Sequence, residues 1–286
     1  MQLRHIAQRD GRLSTFLKQE LGLSTGLMNR LKWAQKLYVN GIPRHADWQV
    51  ATGDEIVAIL DEETPQYPPE EGVLTILYED AHILCVDKPP SMLIHPSHSV
   101  NTGTLANYVL GYYQKTGQNC AFHPVTRLDR DTFGVVLLAK NAHIHAQLSQ
   151  LQQQGTLQKI YHALVYGAPE LPQGVIDAPI ARLPLPSLLR QVDSAGKPSV
   201  TEYRILQQGD YCKLWLRPVT GRTHQLRVHC AHKGFPILGD PQYGTPESLE
   251  YSRKLGFATQ QLCAYSVAFI HPVTGEHITV TSQYEI

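Results

Sequence analysis

Residues 123–139 read His-Pro-Val-Thr-Arg-Leu-Asp-Arg-Asp-Thr-Phe-Gly-Val-Val-Leu-Leu-Ala. The apolar, β-branched run at 135–139 predicts a buried strand, which places Asp129 at the mouth of a packed sheet. A carboxylate in that position has two interpretations. Either it caps a turn and pairs with a neighbouring base, or a nearby guanidinium holds it ionised and it acts as a nucleophile or base.

The order of the predicted elements indicates an α+β fold. A hairpin at 74–90 precedes predicted helices over 104–113 and 142–154, and the chain after Tyr161 is mainly strands and turns. Strands that follow one another without intervening helices favour a mixed, mostly antiparallel central sheet with flanking helices.

A small N-terminal domain of αα-β type is predicted over residues 1–62. Helical spacing of apolar residues begins at Leu13, and Ser24 is the predicted N-cap of a second helix. An Asn-Gly turn at 40–41 then divides a hairpin, and Gly-Asp at 53–54 leads into a further strand.

The domain boundary is predicted from composition. Residues 63–72 are acidic, contain prolines and have no hydrophobic periodicity, so we interpret them as a linker. The remaining residues, 73–286, form the large domain. A chain of 286 residues is long enough to bury a core in each.

The formal net charge is zero, which argues against binding to nucleic acid. The charge is unevenly distributed, however. Residues 61–90 hold eight of the 25 acids and one of the 25 basic residues, so the rest of the chain carries a formal charge of +7. Because binding depends on the local field, a basic surface outside this segment remains compatible with an RNA partner.

Composition excludes several classes of protein. No stretch reaches the roughly 18 uninterrupted apolar residues of a membrane span, and residues 1–5 lack the apolar core of a signal peptide. We therefore expect a cytoplasmic protein. The five cysteines are scattered and form no C-x-x-C pair, which argues against a zinc or redox motif. No Gly-rich nucleotide-binding loop is present, and no cofactor is expected.

Four segments together resemble the motifs of the RluA-type pseudouridine synthases. In chain order they are Arg-Leu-Asp at 127–129, Lys-Ile-Tyr at 159–161, Gly-Arg-Thr-His-Gln-Leu-Arg at 221–227, and Ile-Leu-Gly-Asp with the following Tyr-Gly at 237–244. The resemblance covers nearly the whole chain and implies the pseudouridine synthase fold and a cofactor-free RNA isomerase. The N-terminal domain similarly resembles the alpha-L RNA-binding module of ribosomal proteins.

The resemblance implies roles for individual residues. Asp129 is the catalytic carboxylate, Arg227 pairs with it, and Tyr161 stacks on uracil while its hydroxyl assists proton removal. Arg127 enters the space that the flipped base vacates. Two alternatives stay open: a simple Arg127–Asp129 ion pair, and Arg222 as the carboxylate's partner, although its position beside a turn favours a phosphate or backbone contact.

Two other groupings suggest different chemistry. Asp131 could share a strand face with Asp129, and a carboxylate pair would suit glycoside hydrolysis; we interpret Asp131 as a turn or surface residue. His123, His224 and His229 suggest a metal site, but no further ligand follows at a recognisable spacing, and no metal is expected.

The implied substrate is structured RNA, either large-subunit ribosomal RNA or transfer RNA. Arg30, Lys32 and Lys36 lie on or just after the second predicted helix, where they can contact phosphates. We expect a monomer without an obligate protein partner. Phe133 departs from the family, in which a small serine is usual, and predicts altered packing behind the site. A noncatalytic RNA-binding factor for ribosome assembly is the alternative function.

Overall fold

The computed structural model describes residues 2–60, 64–97 and 100–286. The chain divides into two compact units, Met1–Thr64 and Pro65–Ile286. Within the described ranges, none of the helices combines the length and the hydropathy that crossing a membrane requires.

The first unit packs two helices against a small antiparallel sheet. Its elements are β1 (Gln2–Ile6), β2 (Gly11–Arg12), α1 (Leu13–Gln19), α2 (Thr25–Trp33), β3 (Leu37–Val39), β4 (Ile42–Pro43), β5 (Gln49–Val50) and β6 (Glu55–Ile59). The sheet order is β1-β6-β3-β4, and β2 pairs with β5. The two predicted helices and the hairpin are confirmed, whereas the sequence did not predict β1.

Local sequence explains where these elements begin and turn. The Ser24 hydroxyl accepts a hydrogen bond of 3.2 Å from the backbone N–H of Leu27, which caps α2. Asn40 and Gly41 have φ values of 50° and 74°. Two successive positive φ values are what a tight two-residue hairpin requires, and Asn-Gly supplies them at low cost.

The second unit holds the remaining elements. They are β7 (Thr75–Glu79), β8 (Ile83–Lys88), α3 (Leu105–Lys115), β9 (His123–Pro124), β10 (Phe133–Ala139), α4 (Ala142–Gln153), β11 (Gln158–Val165), β12 (Gln173–Asp177), β13 (Ile180–Arg182), β14 (Arg190–Val192), β15 (Val200–Gln208), β16 (Cys212–Pro218), α5 (Gln225–His232), α6 (Pro246–Lys254), β17 (Leu262–Ile270) and β18 (His277–Thr281).

One large sheet organises this unit. Its order is β12-β15-β16-β11-β17-β10-β8-β7, with β18 added to β17 and β9 to β10. The β10–β17 pair is parallel and the other named pairs are antiparallel. The predicted α+β class with a mixed, mostly antiparallel sheet is confirmed.

Strand β10 is buried along its whole length and on both faces. Val135 and Leu137 pack in one cluster with residues of α4, whereas Val136 and Leu138 pack in another with residues of α3. A strand covered on both sides has no polar face, which is why the run 135–139 is continuously apolar and does not alternate.

Gly134 makes the close approach of β10 to β17 possible. Its φ is +106°, a conformation that side-chain-bearing residues rarely adopt. A Cβ at this position would also collide with the backbone of Ala264. Gly134 and Ala264 are partners in the parallel pairing, so only glycine fits at this register.

Part of the segment that was predicted to be a linker makes hydrogen bonds with the second unit. Asn107 of α3 donates to the Pro68 carbonyl at 2.9 Å, and the Glu70 N–H donates to the Asn107 carbonyl at 3.0 Å. The Glu70 carboxylate accepts a further bond of 2.9 Å from the Gly103 N–H. Residues 68–70 therefore belong to the second unit, although their composition is that of a linker.

Helices α5 and α6 lie in the region that was expected to be mainly strands and turns. Six consecutive residues of α5, from Gln225 to Cys230, are buried, so the helix has no exposed polar face to produce a 3.6-residue pattern. In α6 the buried residues are Ser248 and Ser252, and no apolar stripe marks the helix. Helix α5 therefore carries no hydrophobic periodicity, and α6 buries serines where an apolar stripe would be expected.

Candidate active site

Asp129 lies in the loop between β9 and β10, shortly before β10 begins. The neighbouring loop residues are held on both sides. The Thr126 hydroxyl accepts a hydrogen bond of 2.9 Å from the backbone N–H of Leu137, and the Gln260 side chain donates to the hydroxyl of buried Thr132. The Asp129 side chain remains 29% exposed. These hydrogen bonds thus hold the loop in place, and the Asp129 carboxylate remains accessible.

Arg227 of α5 forms a hydrogen bond with the Asp129 carboxylate. Its Nη1 donates to Asp129 Oδ2 at 3.0 Å, and its side chain is only 5% exposed. Nε and Nη2 donate to the two oxygens of Asp240 at 2.7 and 2.8 Å, and Nη2 also donates to Gln242 at 2.6 Å. The guanidinium therefore bridges two carboxylates and has little freedom to move.

The electrostatics of Arg227 follow from these contacts. Burial disfavours its charge, but the hydrogen bonds and charge of Asp240, together with Asp129, raise its pKa above the ordinary value. Asp240 is fully buried and Asp129 is not. One guanidinium therefore forms hydrogen bonds with both the fully buried carboxylate of Asp240 and the partly exposed carboxylate of Asp129.

Tyr161 of β11 lines the same cavity, which has a volume of about 470 Å³. Its side chain is buried, and burial followed by the nearby charge of Asp129 raises the pKa of its hydroxyl. The phenol is therefore protonated at neutral pH. The cavity brings together Asp129, Tyr161 and Arg227, the three residues expected to be catalytic.

Arg127 and Asp131 differ in their contacts and in their position relative to the cavity. Arg127 is exposed, lines the cavity, and makes no ion pair with Asp129 in the described structure. Asp131 accepts two bonds of 3.1 Å from Arg130 and one of 3.3 Å from the Ser91 hydroxyl. Asp131 lies in a turn, as interpreted from the sequence, and is not part of the cavity lining.

Arg222 and Gln225 organise the loop before α5. Arg222 Nε donates to the Pro198 carbonyl at 3.2 Å, so this arginine makes a backbone contact and is not the partner of Asp129. The Gln225 side chain accepts from the Arg222 N–H at 3.0 Å and donates to the Val200 carbonyl at 2.9 Å. The loop and β15 are thereby joined.

His224 and Tyr243 contact each other beside the Asp129 carboxylate. His224 has a left-handed φ of 58°, and its Nδ1 lies 2.7 Å from the Tyr243 hydroxyl. Its Nε2 lies 3.9 Å from Asp129 Oδ2. Burial lowers the pKa of His224, although the charge of Asp129 opposes that shift. The Tyr243 ring lies 4.9 Å from the Arg227 guanidinium carbon.

Three features of the site were not assigned from the sequence. Asp240 and Tyr243 occur in a recognised motif, but the motif gives no indication of which arginine they touch. Lys88, at the end of β8, is fully buried, and its ammonium donates to the carbonyls of Pro89, Met92 and Arg130 at 2.8–2.9 Å. Burial lowers the pKa of Lys88 to about 7, against the charges of Asp131 and Asp129.

The histidines of the metal hypothesis have other contacts. Both ring nitrogens of His229 are engaged, with the Thr201 hydroxyl at 2.9 Å and the Ala178 carbonyl at 3.0 Å. The His123 ring lies 5.8 Å from that of His145. Among the described residues no group of three or more His, Cys, Asp or Glu is arranged to hold a metal ion.

Phe133 has a packing partner near the end of the chain. Its buried ring meets the ring of Tyr284 edge-on at 5.2 Å between centroids. Phe133 therefore packs in an aromatic pair, and a packing difference from the family stays a prediction.

The predicted phosphate contacts lie in the first unit. Arg30 and Lys32 occupy the last turn of α2, and Lys36 precedes β3. The Lys32 ammonium lies 5.8 Å from the ring centroid of Trp33, which is 82% exposed. An exposed aromatic beside basic side chains suits contact with nucleic acid.

Comparison with known proteins gives this geometry its context. Residues 82–232 match the family described as RNA pseudouridylate synthase. The chain is 35% identical to the uncharacterized RNA pseudouridine synthase YjbO of Bacillus subtilis, over 91% of the chain and 90% of that protein. It is 36% identical to the ribosomal large subunit pseudouridine synthase D of Pasteurella multocida, over 87% of the chain and 80% of that protein.

A solved structure shows the same fold. Human RNA pseudouridylate synthase domain containing 1 superposes with a TM-score of 0.62 at 26% identity, covering 75% of this chain and 86% of that one. The RluA-type resemblance seen in the motifs is thus confirmed. The chain belongs to the RNA pseudouridylate synthase family and is an RNA pseudouridine synthase, an isomerase.

Proposed function

We propose that Asp129 is the nucleophile with which this enzyme converts uridine to pseudouridine in large-subunit ribosomal RNA. The observation that carries the proposal is the contact of a partly exposed Asp129 carboxylate with the buried Arg227 guanidinium, at 3.0 Å inside the cavity. Because a fixed cation already pairs with this carboxylate, little solvent has to reorganise before the carboxylate attacks.

The reaction rearranges bonds within one nucleotide. The Asp129 carboxylate bonds to the ribose C1′ as the bond between C1′ and uracil N1 breaks. The detached uracil turns, and its C5 then bonds to C1′ and displaces the carboxylate. The proton that leaves C5 is balanced by a proton taken up at N1. No electron donor or acceptor is consumed. The site must therefore hold a charged carboxylate, retain the loose base and move one proton.

Arg227 supplies the first requirement. Its bonds to Asp240 fix the guanidinium before substrate arrives, so the positive charge facing Asp129 needs no reorganisation during the reaction. Tyr161 serves the other two. Its ring faces the cavity and can stack on uracil, and its protonated hydroxyl relays the C5 proton toward the carboxylate that the final step frees.

Arg127 has the properties of a residue that replaces a flipped base. The target uridine must leave the RNA stack to reach Asp129, which costs unstacking energy. Arg127 is exposed on the rim of the cavity, and it has no ion pair to break with any residue that the structure describes. Its planar guanidinium can stack in the vacated space.

Ribosomal RNA as substrate is supported by relatives named as large-subunit enzymes. Transfer RNA is the alternative, and a ribosomal substrate is consistent with the predicted cytoplasmic location. In this proposal Arg30, Lys32 and Lys36 of the alpha-L-like unit contact phosphates, and Arg222 contacts a phosphate beside the cavity.

The test is to treat unmodified transcripts of large-subunit ribosomal RNA and of transfer RNA with the protein and to measure pseudouridine and free uracil. Asp129→Asn should abolish product while RNA binding persists. Asp131→Asn is the matched control and should remain active, because the Asp131 carboxylate pairs with Arg130 and does not line the cavity. An active Asp129→Asn variant would contradict the assignment, and release of free uracil would indicate a hydrolase.

The noncatalytic alternative has its own outcome in the same experiment. A ribosome-assembly factor would bind the ribosomal transcript and leave every uridine unchanged. The intact arrangement of Asp129, Tyr161 and Arg227 argues against it, since an RNA-binding protein has no need of a buried arginine between two carboxylates.

A further inference from the structure

A second cavity, of about 450 Å³, opens beside the catalytic one. The short hairpin β13–β14 forms one wall, and the segment 195–197 forms another. Backbone hydrogen bonds of 2.9 Å join Ile180 and Lys197 in both directions, and a Cβ on Gly196 would collide with the backbone of Ile180. The two walls are therefore closely joined.

The lining of this cavity is strongly basic. Its charged residues are Arg182, Arg190, Lys197 and Arg222, which we call the basic pocket, and no Asp or Glu is among the described lining residues. Asp193 is not a lining residue, but its carboxylate accepts a bond of 2.9 Å from the N–H of Ala195, which lines the cavity. Four like charges in one concave surface repel each other unless an anion binds there.

The side chains keep donors available for such an anion. Arg182 Nε donates to the Ser187 carbonyl at 3.2 Å, and Arg190 Nη1 donates to the Leu188 carbonyl at 2.7 Å. Each guanidinium has five N–H groups, so these bonds orient the side chain and leave other donors unused. The exposed Lys197 ammonium makes no hydrogen bond or ion pair in the described part of the chain.

The basic pocket continues into the catalytic cavity. Gly221, Arg222 and Thr223 line both cavities. A chain of regularly spaced anions that enters the catalytic cavity at Asp129 can therefore run past Arg222 to the hairpin. An RNA strand has this property, because each nucleotide beside the target uridine carries one phosphate.

We propose that the basic pocket binds phosphodiester groups of the RNA strand that flanks the target uridine. The proposal rests on the proposed function and adds a strand-binding subsite formed by the β13–β14 hairpin. Phosphate contacts fix the register of the strand and carry no sequence information. The pocket would thus hold the strand while the uridine is out of the stack.

The test measures how RNA affinity depends on salt. The full chain with Asp129→Asn, which prevents turnover, is titrated with an unmodified large-subunit ribosomal RNA transcript over a range of KCl concentrations. The double variant Arg182→Gln with Lys197→Gln should make the negative slope of log K for binding against log salt shallower by about 1.4. Each lost single-strand phosphate contact removes roughly 0.7 from the magnitude of this slope.

A matched control removes the same charge elsewhere. Lys115 and Arg253 are exposed residues of α3 and α6 that lie outside both cavities. Lys115→Gln with Arg253→Gln should leave the slope nearly unchanged. Lys197→Gln alone tests the same proposal without risk to folding, because the exposed ammonium holds no structural bond, and it should lower the slope by about 0.7.

Two outcomes would overturn the proposal. Equal slopes for the pocket and control variants would show that the pocket does not touch RNA. If the pocket variant keeps the wild-type affinity for the RNA transcript and loses affinity for polyglutamate, the pocket is a site for acidic protein. Pseudouridine formation is measured separately with the chain that retains Asp129. That measurement tests the isomerase proposal, whereas the salt dependence of RNA binding tests the basic pocket.

Discussion

Arg227 shows at the scale of one residue why charge alone does not make this site. Its three nitrogens satisfy Asp129, Asp240 and Gln242 at once, and its side chain is nearly inaccessible. A lysine has the charge but not the planar fork, so it cannot span both carboxylates.

We therefore predict that Arg227→Lys lowers the single-turnover rate at saturating RNA by about 100-fold, because a misplaced cation leaves Asp129 poorly positioned. Arg227→Met should additionally destabilise the fold by about 3–5 kcal/mol, since it leaves the buried Asp240 carboxylate without its partner. Urea unfolding separates the two effects. A lysine variant with the wild-type rate would show that the fork geometry is irrelevant.

The sequence predicted the residues of the site better than their contacts. Asp129, Tyr161 and Arg227 could be placed together because each lies in a recognisable motif. The bond from Arg227 to Asp240 and the burial of Lys88 could not, since both arise when separate segments fold together. Lys88 lies at the end of an apolar strand, and nothing in that pattern indicates that three carbonyls accept hydrogen bonds from its ammonium.

At the scale of elements, β10 carries the most constraint. We predict that Gly134→Ala destabilises the catalytic unit by more than about 2 kcal/mol, because it combines a positive φ with a collision against Ala264. Gly155→Ala is the control: Gly155 has a φ of +75° but open space around its Cβ position. It should cost only about 1–2 kcal/mol. Equal losses in urea unfolding would mean that the collision relaxes without cost.

Elements were predictable where one face is apolar or a cap is present. Thr104 caps α3 and Asn141 caps α4, and both helices bury apolar residues. Helix α5 buries Gln225, Arg227 and His229 along with its apolar residues, so its pattern carries no helical period. The polar side chains that obscure α5 in the sequence are those with which it forms the site.

At the scale of the whole molecule, the two units can be tested by truncation. Removal of residues 1–64 should leave a folded catalytic unit, with weaker binding to long RNA and a flatter salt dependence. Removal of residues 1–72 should lower stability further, because it deletes the Pro68 and Glu70 contacts with Asn107 of α3. Thermal unfolding and salt titration of both fragments check this. Equal stability of the two fragments would show that residues 65–72 contribute nothing.

The catalytic unit should also lose stability in acid. Burial lowers the pKa of His162 to about 4, and it lowers the pKa values of His82 and His229 as well. A group with a depressed pKa in the folded state stabilises above its unfolded pKa of about 6.5, and that stabilisation is lost as the pH falls toward 4.

We predict that His162→Phe, which can still stack on Tyr265, weakens this dependence between about pH 6.5 and 4. His277→Phe removes an exposed histidine and is the control. Urea unfolding at several pH values provides the measurement. The same pH slope in both variants would show that His162 does not contribute.

The parallel contact of β10 with β17 determines when catalysis becomes possible during synthesis. Gly134 lies against Ala264, and Thr132 is held by Gln260, so the loop that carries Asp129 is secured by a segment made about 130 residues later. A nascent chain can bear the complete Arg-Leu-Asp motif and still have no ordered carboxylate. Modification by this enzyme therefore begins only after translation has passed the segment that closes the sheet.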